Sequence, residues 1–286
     1  MPKVRRDAAM MVYKGFSPTE VGRRFGVGSS TVCKWVRKAN KLGYHPIPTL
    51  SSRPKHHPRE LSGDLVWKIF HQRIKTGRCA EVIHQELKNQ GISVSLSSIK
   101  RTLDRTGLLK KRSPWKRFHP HVDRPYVKKA GDLVEIDTIH LMIGEKKRIY
   151  VFVLIDVFSR WVYVRAYEKM NSRLMLKFVR KAQDEASFQF GMLQSDHGPE
   201  FGKWFVTQIQ RNHRYTRIGK PNDNAHIERF NRTLQEECLD KVPRNVDVLN
   251  QALKKYLLYY NNERLHMGIS LRAPVQLLTE SVQAID

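Results

Sequence analysis

Arg148-Ile-Tyr-Val-Phe-Val-Leu-Ile-Asp156 places seven apolar side chains between one charge at each end. A continuous apolar run of that length reads as a β-strand buried on both faces, the kind found at the middle of a helix-covered sheet. Working outward, Leu133–Leu141 reads as a strand before it. Trp161-Val-Tyr-Val-Arg-Ala166 reads as a third, joined through Val157-Phe-Ser-Arg160. Downstream the period changes. Asn171–Ala186 predicts a helix with Leu174, Phe178 and Ala182 on one side, Gly191–Asp196 a fourth strand, and Pro199–Gln210 a helix. Tyr215–Ile218 predicts a short fifth strand, and Pro221–Leu239 and Val246–Asn261 two more helices.

A three-stranded meander followed by alternating helix and strand is the order of the ribonuclease-H-like fold, an α/β core with a five-stranded mixed sheet. In that order the first strand is central and the fourth lies beside it. Asp137 on the first strand and Asp196 at the end of the fourth then become neighbours. Glu228, early in the helix opening at Pro221-Asn-Asp-Asn224, is the third acidic residue the fold can bring to that point. Hard divalent cations take oxygen ligands of this kind, and a pair of them clamping a phosphodiester is nuclease or polynucleotidyl-transferase chemistry.

Charge names the polymer. The chain of 286 residues carries 52 Lys and Arg against 27 Asp and Glu, a net +25 with pI near 10.2. Solubility needs no such one-sided excess, and the expected partner is nucleic acid. The excess is uneven: residues 1–125 hold 27 basic and 8 acidic side chains, a net of +19, and the remainder nets +6. Cys33, Cys79 and Cys238 are far apart, with no Cys-x-x-Cys pair, which excludes a disulfide framework and a cysteine-built zinc site. No apolar run approaches the ~18 residues of a membrane span, and no signal core opens the chain. The expected location is the bacterial cytoplasm, on the nucleoid.

The basic part reads as two helical modules. In residues 1–44, Ser17-Pro18-Thr19-Glu20 has the form of a capping box with proline in the first turn. Gly26-Val-Gly28 breaks that helix, and a basic helix follows, capped by Ser29 or Ser30. Val32, Trp35 and Val36 share its apolar face, leaving Ser30, Thr31, Lys34, Arg37 and Lys38 for DNA, as in a helix-turn-helix. A Pro-rich linker (45–58) precedes a second such module over 59–112, with Ser97, Ser98, Lys100, Arg101 and Arg105 turned to DNA. Residues 113–125 read as a basic linker, 126–275 as the catalytic core and 276–286 as a tail.

Four stretches carry a more specific likeness: Gly131-Asp-Leu-Val-Glu-Ile-Asp137, Ser195-Asp-His-Gly-Pro-Glu-Phe201, Asn222-Asp-Asn-Ala-His-Ile-Glu-Arg-Phe-Asn-Arg-Thr-Leu234, and Tyr259-Tyr-Asn-Asn-Glu-Arg-Leu-His266 with Pro274. In this order they resemble the integrase-core DDE transposases of bacterial insertion sequences, relatives of retroviral integrases. The resemblance implies a catalytic, metal-binding triad of Asp137, Asp196 and Glu228. It implies two Mg²⁺, replaceable by Mn²⁺, set roughly 3.5–4 Å apart. It also implies double-stranded DNA partners, namely terminal inverted repeats and target DNA, and a homo-oligomeric synaptic complex. Lys220, His226, Arg229, Arg232 and Arg264 are the expected phosphate contacts of the core. The chain departs from the pattern in three ways. The last two acids are 32 positions apart, fewer than is common; His197 stands where the family often has Asn; and helix-turn-helix modules replace the zinc-binding domain of retroviral integrases.

Other carboxylates compete. Glu135 shares a strand face with Asp137 and is expected at the surface or behind the ligands. Asp156 is expected to hold the turn with Ser159 and Arg160. The expected function is cleavage of element ends and their transfer to new DNA. The alternatives are a helix-turn-helix regulator with an inactive core and a nuclease without strand transfer.

Overall fold

The computed structural model describes residues 1–51, 60–109, 126–145, 147–217 and 221–283. It divides into two compact units, Met1–Ser62 and Gly63–Asp286.

The first unit is three helices: α1 (Pro2–Tyr13), α2 (Pro18–Phe25) and α3 (Ser29–Lys41). Ser17 caps α2 as expected, its hydroxyl accepting the Glu20 amide. Gly26 ends α2 at φ +66°, a left-handed position that glycine takes without a Cβ clash. The cap of α3 is Gly28 rather than Ser29 or Ser30, so both serines lie in its first turn. Ala8, Val21 and Val32 are fully buried together, with Trp35 and Val36 packed around them. Ile47 is buried against Ala9 and Ala39, and its amide bonds Pro2 O. This packed unit therefore runs past residue 44, because one apolar side chain in a Pro-rich stretch suffices to dock it.

The second unit opens with α4 (Gly63–Thr76), α5 (Ala80–Asn89) and α6 (Leu96–Arg105), closed over Ile69, Val82, Ile83, Leu87, Ile99 and Leu103. Five strands follow: β1 (Val134–Ile143), β2 (Lys147–Asp156), β3 (Val162–Tyr167), β4 (Met192–Ser195) and β5 (Asn212–Tyr215), in the order β3-β2-β1-β4-β5. The meander β1–β3 is antiparallel, whereas β4 and β5 run parallel to β1. This is the five-stranded mixed sheet of the ribonuclease-H-like fold. The expected fifth strand lies three residues earlier than 215–218, in a half-polar segment (Asn-His-Arg-Tyr) whose pattern carries no strand signal; Ile218 lies outside the described residues.

Both faces of the sheet are covered, which is why β2 is apolar from Ile149 to Ile155. Val151, Val153 and Ile155 face α9 (Ala225–Glu237) and α10 (Val246–Asn262), meeting Ile227, Phe230, Leu234, Leu249 and Leu253. Phe152 and Leu154 face α7 (Ser172–Glu185) and α8 (Lys203–Ile209), meeting Met175, Phe178, Val179 and Phe205. Each such side chain contributes about 1.5–3 kcal/mol by leaving water. Asn250 and Asn261 on α10 bond both the N–H and the C=O of Ala166 and Val162, closing the free edge of β3. Asn261 thus has a structural role, and Tyr260 packs edge-on against Phe230. Residues 274–283, read as tail from 276, form α11 (Pro274–Gln283), with Leu277 and Leu278 buried. Among the described residues no helix is long and apolar enough to cross a membrane.

Candidate active site and nucleic-acid interface

β1 and β4 are in parallel register with Val134 opposite Leu193 and Glu135 opposite Gln194. Two places further along, that register sets Asp137 beside Asp196. Odd-numbered residues of β1 face α9, so Glu135, Asp137 and the buried Ile139 share one side. The charge of Asp196 acts on Asp137, as does that of Glu200.

Asp137 is held on both oxygens. One accepts the Thr138 amide at 2.8 Å, and the other accepts the Asn231 side-chain amide of α9 at 2.8 Å. Burial, assisted by the neighbouring carboxylates, pushes its carboxyl up to about 6. Asp196 is exposed and accepts the Gly198 amide at 2.9 Å, fixing the turn that leaves β4. His197 stacks on Tyr215, with ring centroids 4.9 Å apart.

Glu228 projects from the first turn of α9, exposed, beside the buried stripe of Ile227, Phe230 and Leu234. Burial pushes its carboxyl upward and Arg232, one turn later, opposes that. Asn231, which touches Asp137, is three residues along the same helix. Side chains at that spacing are neighbours, about 5–6 Å apart at Cβ. Glu228 therefore stands one helical turn from the Asp137 carboxylate. Among the described residues no three His, Cys, Asp or Glu side chains form a ready coordinating cluster. The fold places Asp137 and Asp196 together and holds Glu228 at the rim.

The helix carrying Glu228 is anchored by two buried polar side chains that sit opposite each other on the central strands. Glu135 accepts the Ile227 amide at 2.8 Å. Gln194 donates to Asp223 O at 2.9 Å and to Asn224 Oδ1 at 2.8 Å. Glu135 is only 1% exposed, so it lies behind the acids as a helix anchor rather than at the surface. The Arg217 guanidinium holds the Asp223 carboxyl down at about 2 and ties the segment before α9. Asp156 fills the turn role expected of it, accepting the Ser159 amide and hydroxyl and the Gly131 amide. The sequence offers no sign of the Gln194 and Asn231 roles, since both depend on contacts between distant segments. Glu135 was legible only as an acid on the strand face of Asp137.

The basic residues divide into exposed and engaged ones. Ser30, Lys34, Arg37 and Lys38 are exposed on α3, with Thr31 half-buried beside them. On α6, Ser97, Arg101 and Arg105 are exposed; Ser98 bonds the Ser95 cap, and Lys100 pairs with Glu81 at 2.7 Å. Arg229 and Arg232 are exposed next to Glu228, and His226 is half-buried. Arg264 is engaged instead: it pairs with Glu237 at 2.7 Å and lies over the Tyr260 ring. Lys220 lies outside the described residues. An open cleft of about 810 Å³ beside α9 is lined by Lys75, Arg78, Arg229, Thr233 and Lys241, among others.

The donors fit a hard divalent cation. Two carboxylates lie side by side, Asp137 within β1 and Asp196 just past the end of β4, and two buried oxygens near them, Glu200 Oε2 and Asn231 Oδ1, have no hydrogen-bond partner.

Comparison with known proteins agrees with this architecture. Integrase core domain models match residues 127–221 and 210–274, and a homeodomain-like domain model matches 2–47. The chain is 26% identical over 239 residues to the transposase for insertion sequence element IS904 of Lactococcus lactis, spanning 76% of this chain and 92% of the relative. It is 24% identical over 234 residues to a 31.7 kDa protein of insertion element IS407 of Burkholderia multivorans, spanning 78% and 82%. Among solved structures it is similar to the magnesium-bound catalytic core of HTLV-2 integrase, at 20% identity and TM-score 0.39 over 51% of this chain and 95% of that one. With integrase-core models spanning more than half its length and a homeodomain-like helix-turn-helix before them, the chain belongs to the integrase-core group of insertion-sequence transposases.

Proposed function

We propose that this protein is a DDE transposase: it binds the ends of its element, cuts them and joins them to target DNA. The observation that supports the reading is Asp137, within β1, standing beside Asp196, just past the end of the adjacent parallel strand β4, with the helix of Glu228 anchored to those same strands through Glu135 and Gln194. Asp137, Asp196 and Glu228 would hold two Mg²⁺, or Mn²⁺ in their place. When bound, these supply Lewis-acid activation of water or a 3′-hydroxyl and stabilise charge on the departing 3′-oxygen. Asn231 holds the Asp137 carboxylate from α9. Arg229 and Arg232 flank Glu228 and fit a phosphate backbone lying across the start of α9. The exposed basic face of α3 fits the major groove at an element end. Water attack frees the end; attack by that 3′-hydroxyl joins it to new DNA, with no covalent link to the protein. Two ends must be held at once, so the working form is a homo-oligomer.

The test is incubation of the protein with Mg²⁺, DNA bearing the element ends and a target plasmid. Joined product is expected from the wild type and none from Asp137→Asn. Cleavage without joining would favour a nuclease. Binding without either reaction would favour a regulator.

A further inference from the structure

Glu200 has no assigned role, and its surroundings are those of a ligand. The short 3-10 turn Pro199–Phe201 folds back at the end of β4 and buries Glu200 to 5% exposure. One carboxylate oxygen, Oε1, accepts the Thr138 hydroxyl at 2.7 Å, next in sequence to Asp137. The other, Oε2, is buried and has no hydrogen-bond partner. A bare buried carboxylate oxygen is costly unless something compensates it. The available neighbours make matters worse. The groups acting on Asp137 include two acids, Asp196 and Glu200, against two neutral donors, Thr138 and Asn231.

The bare oxygen faces Asp196 across Gly198. The position a Cβ on Gly198 would occupy is 2.7 Å from Glu200 Oε2 and 3.1 Å from Asp196 Oδ1. A side chain at 198 would fill this cradle, and glycine leaves it open. Glu200 and Asp196 therefore border one small space, and the charges of both act on Asp137. Glu135, the other acid on that strand face, has an oxygen committed to the Ile227 amide.

We propose that Glu200 Oε2 is an additional oxygen donor to the divalent cation held by Asp137 and Asp196. The inference rests on the metal-dependent reading above and extends its ligand set. Asp137, Asp196 and Glu200 form the resident part of the site on the sheet, and Glu228 joins from α9. Since the three are not preassembled as a coordination sphere, a modest rotation of the Asp196 or Glu200 side chain completes it on binding. The Thr138 hydroxyl holds Oε1 and so aims Oε2.

Glu200→Gln tests this, because an amide keeps the shape and still accepts the Thr138 hydroxyl but loses the charge. Mn²⁺ binding to the full chain is measured by calorimetry, and melting temperature is measured in EDTA and in excess Mg²⁺. The wild type is expected to bind Mn²⁺ and Asp137→Asn to lose it. Glu200→Gln is expected to bind about tenfold or more weakly, to melt no lower than wild type in EDTA, and to gain less from Mg²⁺. Glu200→Asp, which keeps the charge, is expected to fall between. Wild-type affinity in Glu200→Gln alongside its loss in Asp137→Asn would overturn the proposal and leave the metal reading standing. So would Glu200→Asp binding more weakly than Glu200→Gln. No Mn²⁺ binding by the wild type would overturn both.

Discussion

Replacing Asp137 by Asn is expected to make the metal-free protein more stable while abolishing its chemistry. The Asp137 carboxyl sits at about 6 in the fold against 3.8 when unperturbed. A tenfold change in acidity corresponds to ~1.4 kcal/mol, so ionising this group in the folded chain costs at most about 3 kcal/mol relative to the unfolded chain. The sign follows from proton linkage. Between pH ~4 and ~6 the folded state holds a proton that the unfolded state has released, so stability falls as pH rises through that window and is level above it. An asparagine removes the fall. It also keeps the local bonds: its oxygen accepts the Thr138 amide, and its NH₂ meets Asn231 Oδ1, now without a partner, once that amide turns over. For a unit of this size about 3 kcal/mol corresponds to roughly 6–12 °C in melting temperature. The assay is thermal melting in EDTA from pH 4.5 to pH 8. The variant's excess over wild type should be smallest at the acid end and reach its full size above pH 6. A variant less stable than wild type at pH 8, or a difference independent of pH, would refute the reasoning.

Other substitutions probe the supports. Gly131→Ala places a Cβ 1.9 Å from Gln189 O at φ +84°, and should cost more than about 3 kcal/mol or prevent folding, read by urea unfolding. Glu135→Ala leaves the Ile227 amide without its acceptor; it should lower stability by about 1–3 kcal/mol and reduce strand transfer further, by loosening the helix of Glu228. Asn261→Ala uncovers the edge of β3, so light scattering on concentration should detect association that wild type lacks. Lys34→Ala and Arg37→Ala should each flatten the salt dependence of DNA binding by about one in log–log slope, checked by fluorescence anisotropy.

The sheet was legible because β2 is apolar from Ile149 to Ile155 and β1 and β3 are each broken by turns the sequence marks. β5 was not, since Asn212–Tyr215 owes its pairing to β4 rather than to any pattern of its own. The helix at 274–283 was missed because three residues of apolar burial (Leu277, Leu278 and the preceding Ala273) dock it without a long amphipathic stripe. The acids themselves stood out through their places on strand, strand end and helix. Their supports did not. Gln194, Asn231 and Glu200 act across separations of 29, 94 and 62 residues, and polar residues with that reach look like any others in a linear chain. Arg264 shows the converse: it reads as a phosphate contact in its motif and is committed to Glu237 in the fold.

The most direct measurement is anomalous diffraction from crystals of the protein with an element-end DNA and Mn²⁺. The account predicts manganese between Asp137 and Asp196, with Glu228 swung in from α9 and the scissile phosphate alongside. Manganese bound elsewhere, or Glu228 still turned away while the DNA is engaged, would contradict it.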